Sequence, residues 1–260
     1  MKKLIGIINL LSVIGIVYWN YYVSSGTING NKMGQLSDEI NSLFTPAGYA
    51  FSIWGIIYLG LFINAIWYLI QAFKNKHQET LAQQGIWLTI ANIASGFWLW
   101  FWLNEQILIS VYFMLIILAA LMIAVVRLKM EKWNAPANII GFVWWPICLY
   151  SGWITVATVT NIAAYLKTEN FNLFFSEEVW TIIMILITTV LFLYFLYTRY
   201  MREFNLVAVW ALAAIAVRHW EAINSIAYTA ILCAVLIMVL SLIQGFKYRK
   251  TNPFMPRFLK

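Results

Sequence analysis

An indole, two hydroxyls and a carboxamide lie close together in one long apolar run: Trp153, Thr155, Thr158 and Asn161, within residues 137–166. Polar groups in such a run are costly unless partnered, so they face protein neighbours or a cavity rather than lipid. On a helix, residues three and four apart share a face. Trp153, Ala157 and Asn161 therefore form one stripe, which Tyr150 and Pro146 continue toward the N-terminal end, with Thr155 and Thr158 on a neighbouring one. An amide, a small residue and an indole in a row can receive the edge of a flat molecule. The competing reading is purely structural: Ala157 lets helices approach while Asn161 and Thr158 bond to their neighbours. A second stripe, Phe51, Trp54 and Tyr58, places three rings on one face just after the longest polar stretch of the chain. Such a stripe serves equally as packing core. If the two stripes face each other, they enclose an aromatic, weakly polar cavity suited to a large planar or polycyclic hydrophobic ligand.

Other chemistry is poorly provided for. No Ser-His-Asp set and no glycine-rich phosphate loop can be assembled, and the two histidines, His77 and His219, have no second ligand at metal spacing, so no cofactor or metal is expected. The chain reads as a binding protein more readily than as an enzyme. Cys148 and Cys233 sit in apolar runs and behave as small hydrophobes rather than as a disulfide. Arg218 and Glu221 are spaced to pair with each other, a reading preferred to their meeting a ligand carboxylate. No ionisable residue falls at mid-membrane depth, which argues against a charge relay.

The elements that must position these residues are set by composition. Of 260 residues, 63% are hydrophobic and 10% charged, where a soluble domain carries about 25% charged. With a mean hydropathy of +0.77, this is an all-α, polytopic membrane bundle. Eight spans are expected, near residues 4–23, 49–73, 85–103, 107–126, 137–166, 178–198, 205–220 and 223–246. The first is long enough to span and ends in an aromatic belt, so it reads as a retained helix rather than a signal peptide. Residues 25–45 form a cap over the cavity, Asn104-Glu105-Gln106 allows only a tight hairpin, and Pro146 should bend the fifth span. Alternation places only Lys32, Lys167 and Arg218 of the 17 lysines and arginines on the outer side. The net charge of +7 therefore expresses topology, with both termini cytoplasmic, and not nucleic-acid binding.

Two segments carry a resemblance. Pro46, Gly48, Tyr49, Phe51, Trp54 and Tyr58 resemble the loop-to-helix signature of the tryptophan-rich sensory protein family, which includes bacterial TspO and the mitochondrial translocator protein, or peripheral benzodiazepine receptor. The signature here is one residue shorter before Trp54 and lacks a proline. Trp153, Thr155, Ala157, Thr158 and Asn161 reproduce the family's helix-five pattern with threonine for serine, and Pro146 lies three residues upstream of the family's proline. On helix three, Asn92 matches the family's asparagine, Ser95 stands where a tryptophan is expected, and Trp98, Trp100 and Trp102 follow later.

The resemblance covers residues 4–170. It implies a TspO-like five-helix unit over residues 1–170 and a three-helix extension over residues 171–260. It further implies a plasma-membrane receptor or sensor for a porphyrin-like or sterol-like molecule, embedded in the lipid bilayer and able to form a homodimer. The ligand would be held by Pro46, Phe51, Trp54, Tyr58, Asn92, Trp98 and the helix-five stripe from Pro146 to Asn161. A transporter of hydrophobic solutes and a porphyrin-modifying enzyme are the alternatives.

Overall fold

The computed structural model describes residues 1–171 and 174–248, and among these it contains helices and turns and no strand. The basic residues Arg249, Lys250, Arg257 and Lys260 lie outside the described residues. The long helices are α1 (Lys2–Ser24), α3 (Ile53–Phe73), α5 (Trp87–Leu103), α6 (Ile107–Arg127), α8 (Trp145–Thr168), α9 (Glu177–Arg199), α10 (Arg202–His219) and α11 (Asn224–Lys247). Three short helices join them: α2 (Met33–Ile40), α4 (Gln78–Gln84) and α7 (Ala137–Ile139). The residues of α4 were expected to belong to the polar connection before the span at residues 85–103. They form a separate helix that ends at Gly85, whose φ of +54 breaks the path before α5.

Local sequence explains where the elements begin and end. Ser176 caps α9 by accepting from Val179 N, Glu177 and Glu178 occupy its first turn, and Arg199 lies in its last. Those charges suit the partial charges at the two helix ends. Glu105, at φ +59, closes the hairpin that makes α5 and α6 antiparallel neighbours.

Among the described residues, seven stretches are long and apolar enough to cross a membrane, and α10 is not among them. It carries Arg202 and Glu203 at one end and Arg218 at the other. Even so, its 18 residues extend roughly 27 Å at 1.5 Å per residue. Its ends meet opposite ends of the bundle: Arg218 bonds Asp38 of α2 and Asn41 just after it, while Arg202 lies beside the turn after α6. The shortfall in hydropathy reflects its setting, since it packs against α8, α9 and α11. Along it Ala208, Ala211, Ala214 and Ala216 are buried against other helices rather than lipid.

The centre of the bundle is α8, which contacts α3, α6, α9 and α10. Its stretch is the most buried of the seven at 72%, against 22% for α1 at the periphery. The close approach of α10 depends on Gly152, where a Cβ would come within 3.0 Å of Phe204 O and Val207 Cβ. On the other side of α8, Gly60 of α3 brings its backbone against Pro146.

Just before Pro146, where a bend was expected, Ile140–Trp144 form one π-helical turn between α7 and α8. An α-helix would supply the carbonyl of Phe142 with the N–H four residues on, and that residue is Pro146. Asn64 Nδ2 of α3 donates to Phe142 O instead, at 2.9 Å. The same amide is fixed by Gln84, which donates to Asn64 Oδ1 at 2.8 Å and accepts from its Nδ2 at 3.2 Å. The proline thus leaves a carbonyl that a buried amide on a neighbouring helix satisfies.

Candidate functional site

The two aromatic stripes face each other at the end of the bundle that carries residues 25–47. Gly48–Ser52 form a 3₁₀ turn before α3. This tighter winding of about three residues per turn brings Phe51 into line with Trp54 one turn later. Both rings line a cavity with Trp153, Ala157 and Asn161 of α8 and Trp98 of α5, and Pro46 closes one edge. Phe51 meets Trp153 edge to face, with centroids 5.9 Å apart.

Of the expected site residues, Tyr58, Tyr150, Asn92 and Pro146 do not line this space. Tyr58 stacks on Trp54 at 5.2 Å and Tyr150 meets it at 5.9 Å, so both rings stand behind Trp54 and fix its position. Asn92 points to the first helix, where its amide donates to Ser12 Oγ at 3.1 Å. The 17-residue α5 presents Trp98 to the cavity, and Asn92, six residues earlier, falls on another face. Pro146 lies two turns below Trp153 and packs on Gly60.

Several residues complete the wall that the sequence did not single out. Trp102 stacks on Trp98 at 6.3 Å, and Thr160 follows Ala157 by three residues. Stepping four residues on from Trp98 and three on from Ala157 would have found both. Met33 and Ser37, also one turn apart, form the underside of α2, which lies over the opening as a lid.

The polar groups of the site are already engaged. Asn161 Oδ1 accepts from Trp98 Nε1 at 2.7 Å, and its Nδ2 donates to Ser110 Oγ at 2.9 Å. One amide therefore ties α8 to α5 and α6 at the cavity wall. Thr155 and Thr158 donate to the carbonyls one turn back on their own helix, Ser151 O at 2.8 Å and Ile154 O at 2.6 Å. Both leave the cavity to the rings.

The lid is latched on two sides. Asn31 donates to Leu103 O at 3.0 Å and Trp102 Nε1 to Met33 O at 3.4 Å, which holds it to the α5–α6 hairpin. Opposite, Arg218 donates to Asp38 Oδ1 at 2.7 Å and Asn41 Oδ1 at 3.2 Å, while His219 Nε2 lies 2.8 Å from Leu43 O. Arg218 was expected to pair with Glu221. Glu221 lies beyond the end of α10 at φ +65, off the helical path that would have brought the two together, and Asp38 takes its place.

With the lid down, the free space among the rings is only about 30 Å³, room for about one water molecule. The site in this form is a collapsed aromatic cluster.

Comparison with known proteins gives one result. The profile of a family described as TSPO-like protein matches residues 6–243, a span that runs through the C-terminal helices as well as the aromatic cavity. No curated protein and no solved structure matches the chain significantly.

Proposed function

The chain belongs to the TSPO-like protein family, and on that premise we propose that it is a membrane receptor or sensor that holds a hydrophobic planar ligand of the tetrapyrrole type beneath α2. The observation that carries this reading is the convergence of Phe51, Trp54, Trp98, Trp102 and Trp153 on one space walled by Asn161. Aromatic faces stack on an extended π-system at low entropic cost, and a single amide orients its polar edge. Ligand pockets commonly hold about 300–1,000 Å³, far above the space in the closed form, so binding requires α2 to lift and the indoles to reorient. The C-terminal helices serve this movement, because α10 supplies the latch to the lid. In this reading residues 1–170 form the binding unit and residues 171–260 an extension that controls access. The lysine and arginine distribution supports a plasma-membrane topology with cytoplasmic termini and the lid on the outer face.

Saturable quenching of tryptophan fluorescence by protoporphyrin tests the reading. Quenching should be saturable in the intact protein and weakened by Trp153→Phe combined with Asn161→Ala. Absence of saturation, or quenching indifferent to both substitutions, refutes it.

A further inference from the structure

At the end of the bundle opposite the lid, a second and larger recess of about 300 Å³ opens between the turn after α6 and the junction of α9 with α10. Its character differs from that of the aromatic cavity. Two carboxylates, Glu131 and Glu203, and two cations, Lys132 and Arg202, line it beside the rings of Trp144, Trp145 and Tyr200. Among the described residues the ion pairs are Lys167–Glu177 and Arg218–Asp38, so charges of both signs share this recess without neutralising one another by contact. Lys132 is turned to its own structure, donating to Thr198 O with its ammonium 5.7 Å from the centre of the Tyr200 ring. Arg202 is left as the cation available to an incoming group.

Independent observations point to a missing partner. Trp144 is 1% exposed and lines the recess, yet its indole N–H has no acceptor among the described residues. Gln244, 8% exposed, donates to Leu196 O while its Oε1 accepts from no group among the described residues. Glu203 accepts from Trp145 Nε1 through Oε1 at 3.2 Å and leaves Oε2 buried and unused. Buried polar atoms are nearly always paired, and here a donor and two acceptors are left open around one space.

A simple cation would meet Arg202 and Lys132, and a simple anion would meet both carboxylates. Carboxylates beside tryptophan and tyrosine faces suit an ammonium group, and a guanidinium suits a carboxylate or phosphate. We propose that this recess binds a small zwitterion, its ammonium held by Glu131, Glu203 and the surrounding rings and its anionic group by Arg202. The proposal is independent of the ligand assigned to the aromatic cavity. A free solute and the headgroup of a zwitterionic lipid share this chemistry, and the recess lies at the ends of the long apolar helices α6 and α9.

The test uses the intact protein in a maltoside detergent, titrated calorimetrically with phosphocholine, tetramethylammonium and inorganic phosphate. Phosphocholine should bind saturably, and each half-molecule about tenfold more weakly. Glu203→Gln and Arg202→Gln should each weaken binding about tenfold. Glu131→Gln, in a turn outside the helices, gives the same readout should the other two fail to fold. Native mass spectrometry separates the sources. Preferential retention of phosphatidylcholine over phosphatidylglycerol, displaced by phosphocholine, identifies a lipid headgroup, whereas phosphocholine binding without lipid preference identifies a free solute. No saturable binding of either, tetramethylammonium binding as tightly as phosphocholine, or binding unchanged in folded variants overturns the proposal.

Discussion

The indole N–H of Trp98 donates to Asn161 Oδ1 at 2.7 Å across the wall of the aromatic cavity, so one carboxamide there joins three helices. Interhelical hydrogen bonds in membrane proteins contribute about 0.6 kcal/mol on average and about 1.7 at most. A double-mutant cycle of Trp98→Phe and Asn161→Ala should return a coupling energy in that range, measured by equilibrium unfolding in detergent. Asn161→Ala alone should cost more than Trp98→Phe, because it also strips Ser110 of a partner. A coupling indistinguishable from zero would mean that the contact contributes nothing to the fold.

The link between Pro146 and Asn64 makes an opposite kind of prediction. Asn64→Ala leaves Phe142 O and Gln84 without their partner, at a cost of about 1–3 kcal/mol. In a Pro146→Ala background an N–H is available to Phe142 O, the π turn can relax, and Asn64→Ala should cost measurably less. Equal costs in the two backgrounds would separate the amide from the proline.

These two contacts also indicate what could be read from the chain alone. Helical periodicity places Phe51 with Trp54, and Trp153 with Ala157 and Asn161, because those relations are local and depend only on winding. That a proline near residue 146 perturbs its helix follows from the missing N–H. That Asn64, 78 residues away, meets the exposed carbonyl does not follow, since it requires knowing which helices touch. Arg218 illustrates the same limit. Its spacing to Glu221 suggested a local pair, but the helix stops at His219 and Asp38, 180 residues distant, is the partner. Asn92 had a family counterpart but no neighbour in sequence to fix its face, and it bonds to the first helix.

Glu131 supplies a pH dependence. Burial, helped by the neighbouring Glu203 and opposed by Arg202, pushes its carboxyl up to about 7, with Lys132 also lining the recess. An acid whose pKa is raised on folding binds its proton more tightly in the folded state. Its contribution to stability is intact below the ordinary glutamate range and is lost as pH rises through about 7. Melting temperature should therefore fall across that interval in the intact protein. Glu131→Gln should flatten the profile and be the more stable form at about pH 8.5. Identical profiles for the two proteins would show that Glu131 does not titrate abnormally.

The Arg218–Asp38 pair should set how often the lid opens. Asp38 is 59% exposed, so the pair is worth no more than about 1 kcal/mol, and that difference corresponds to about a fivefold change in the open population. Arg218 also donates to Asn41 Oδ1, and both contacts hold residues of the lid rather than of the spans. Arg218→Gln should accordingly speed amide hydrogen exchange in residues 33–45 about fivefold while leaving the centre of α8 unchanged. Salt at about 1 M should move the intact protein toward the variant, because it screens the ion pair but not the neutral contact between His219 and Leu43 O. If the closed cavity admits a ligand only through this lid, the same substitution accelerates the onset of porphyrin quenching. The final quenching amplitude then stays the same, since Arg218 touches the lid and not the rings. Faster exchange without faster quenching would place ligand entry elsewhere, between the helices from the lipid side.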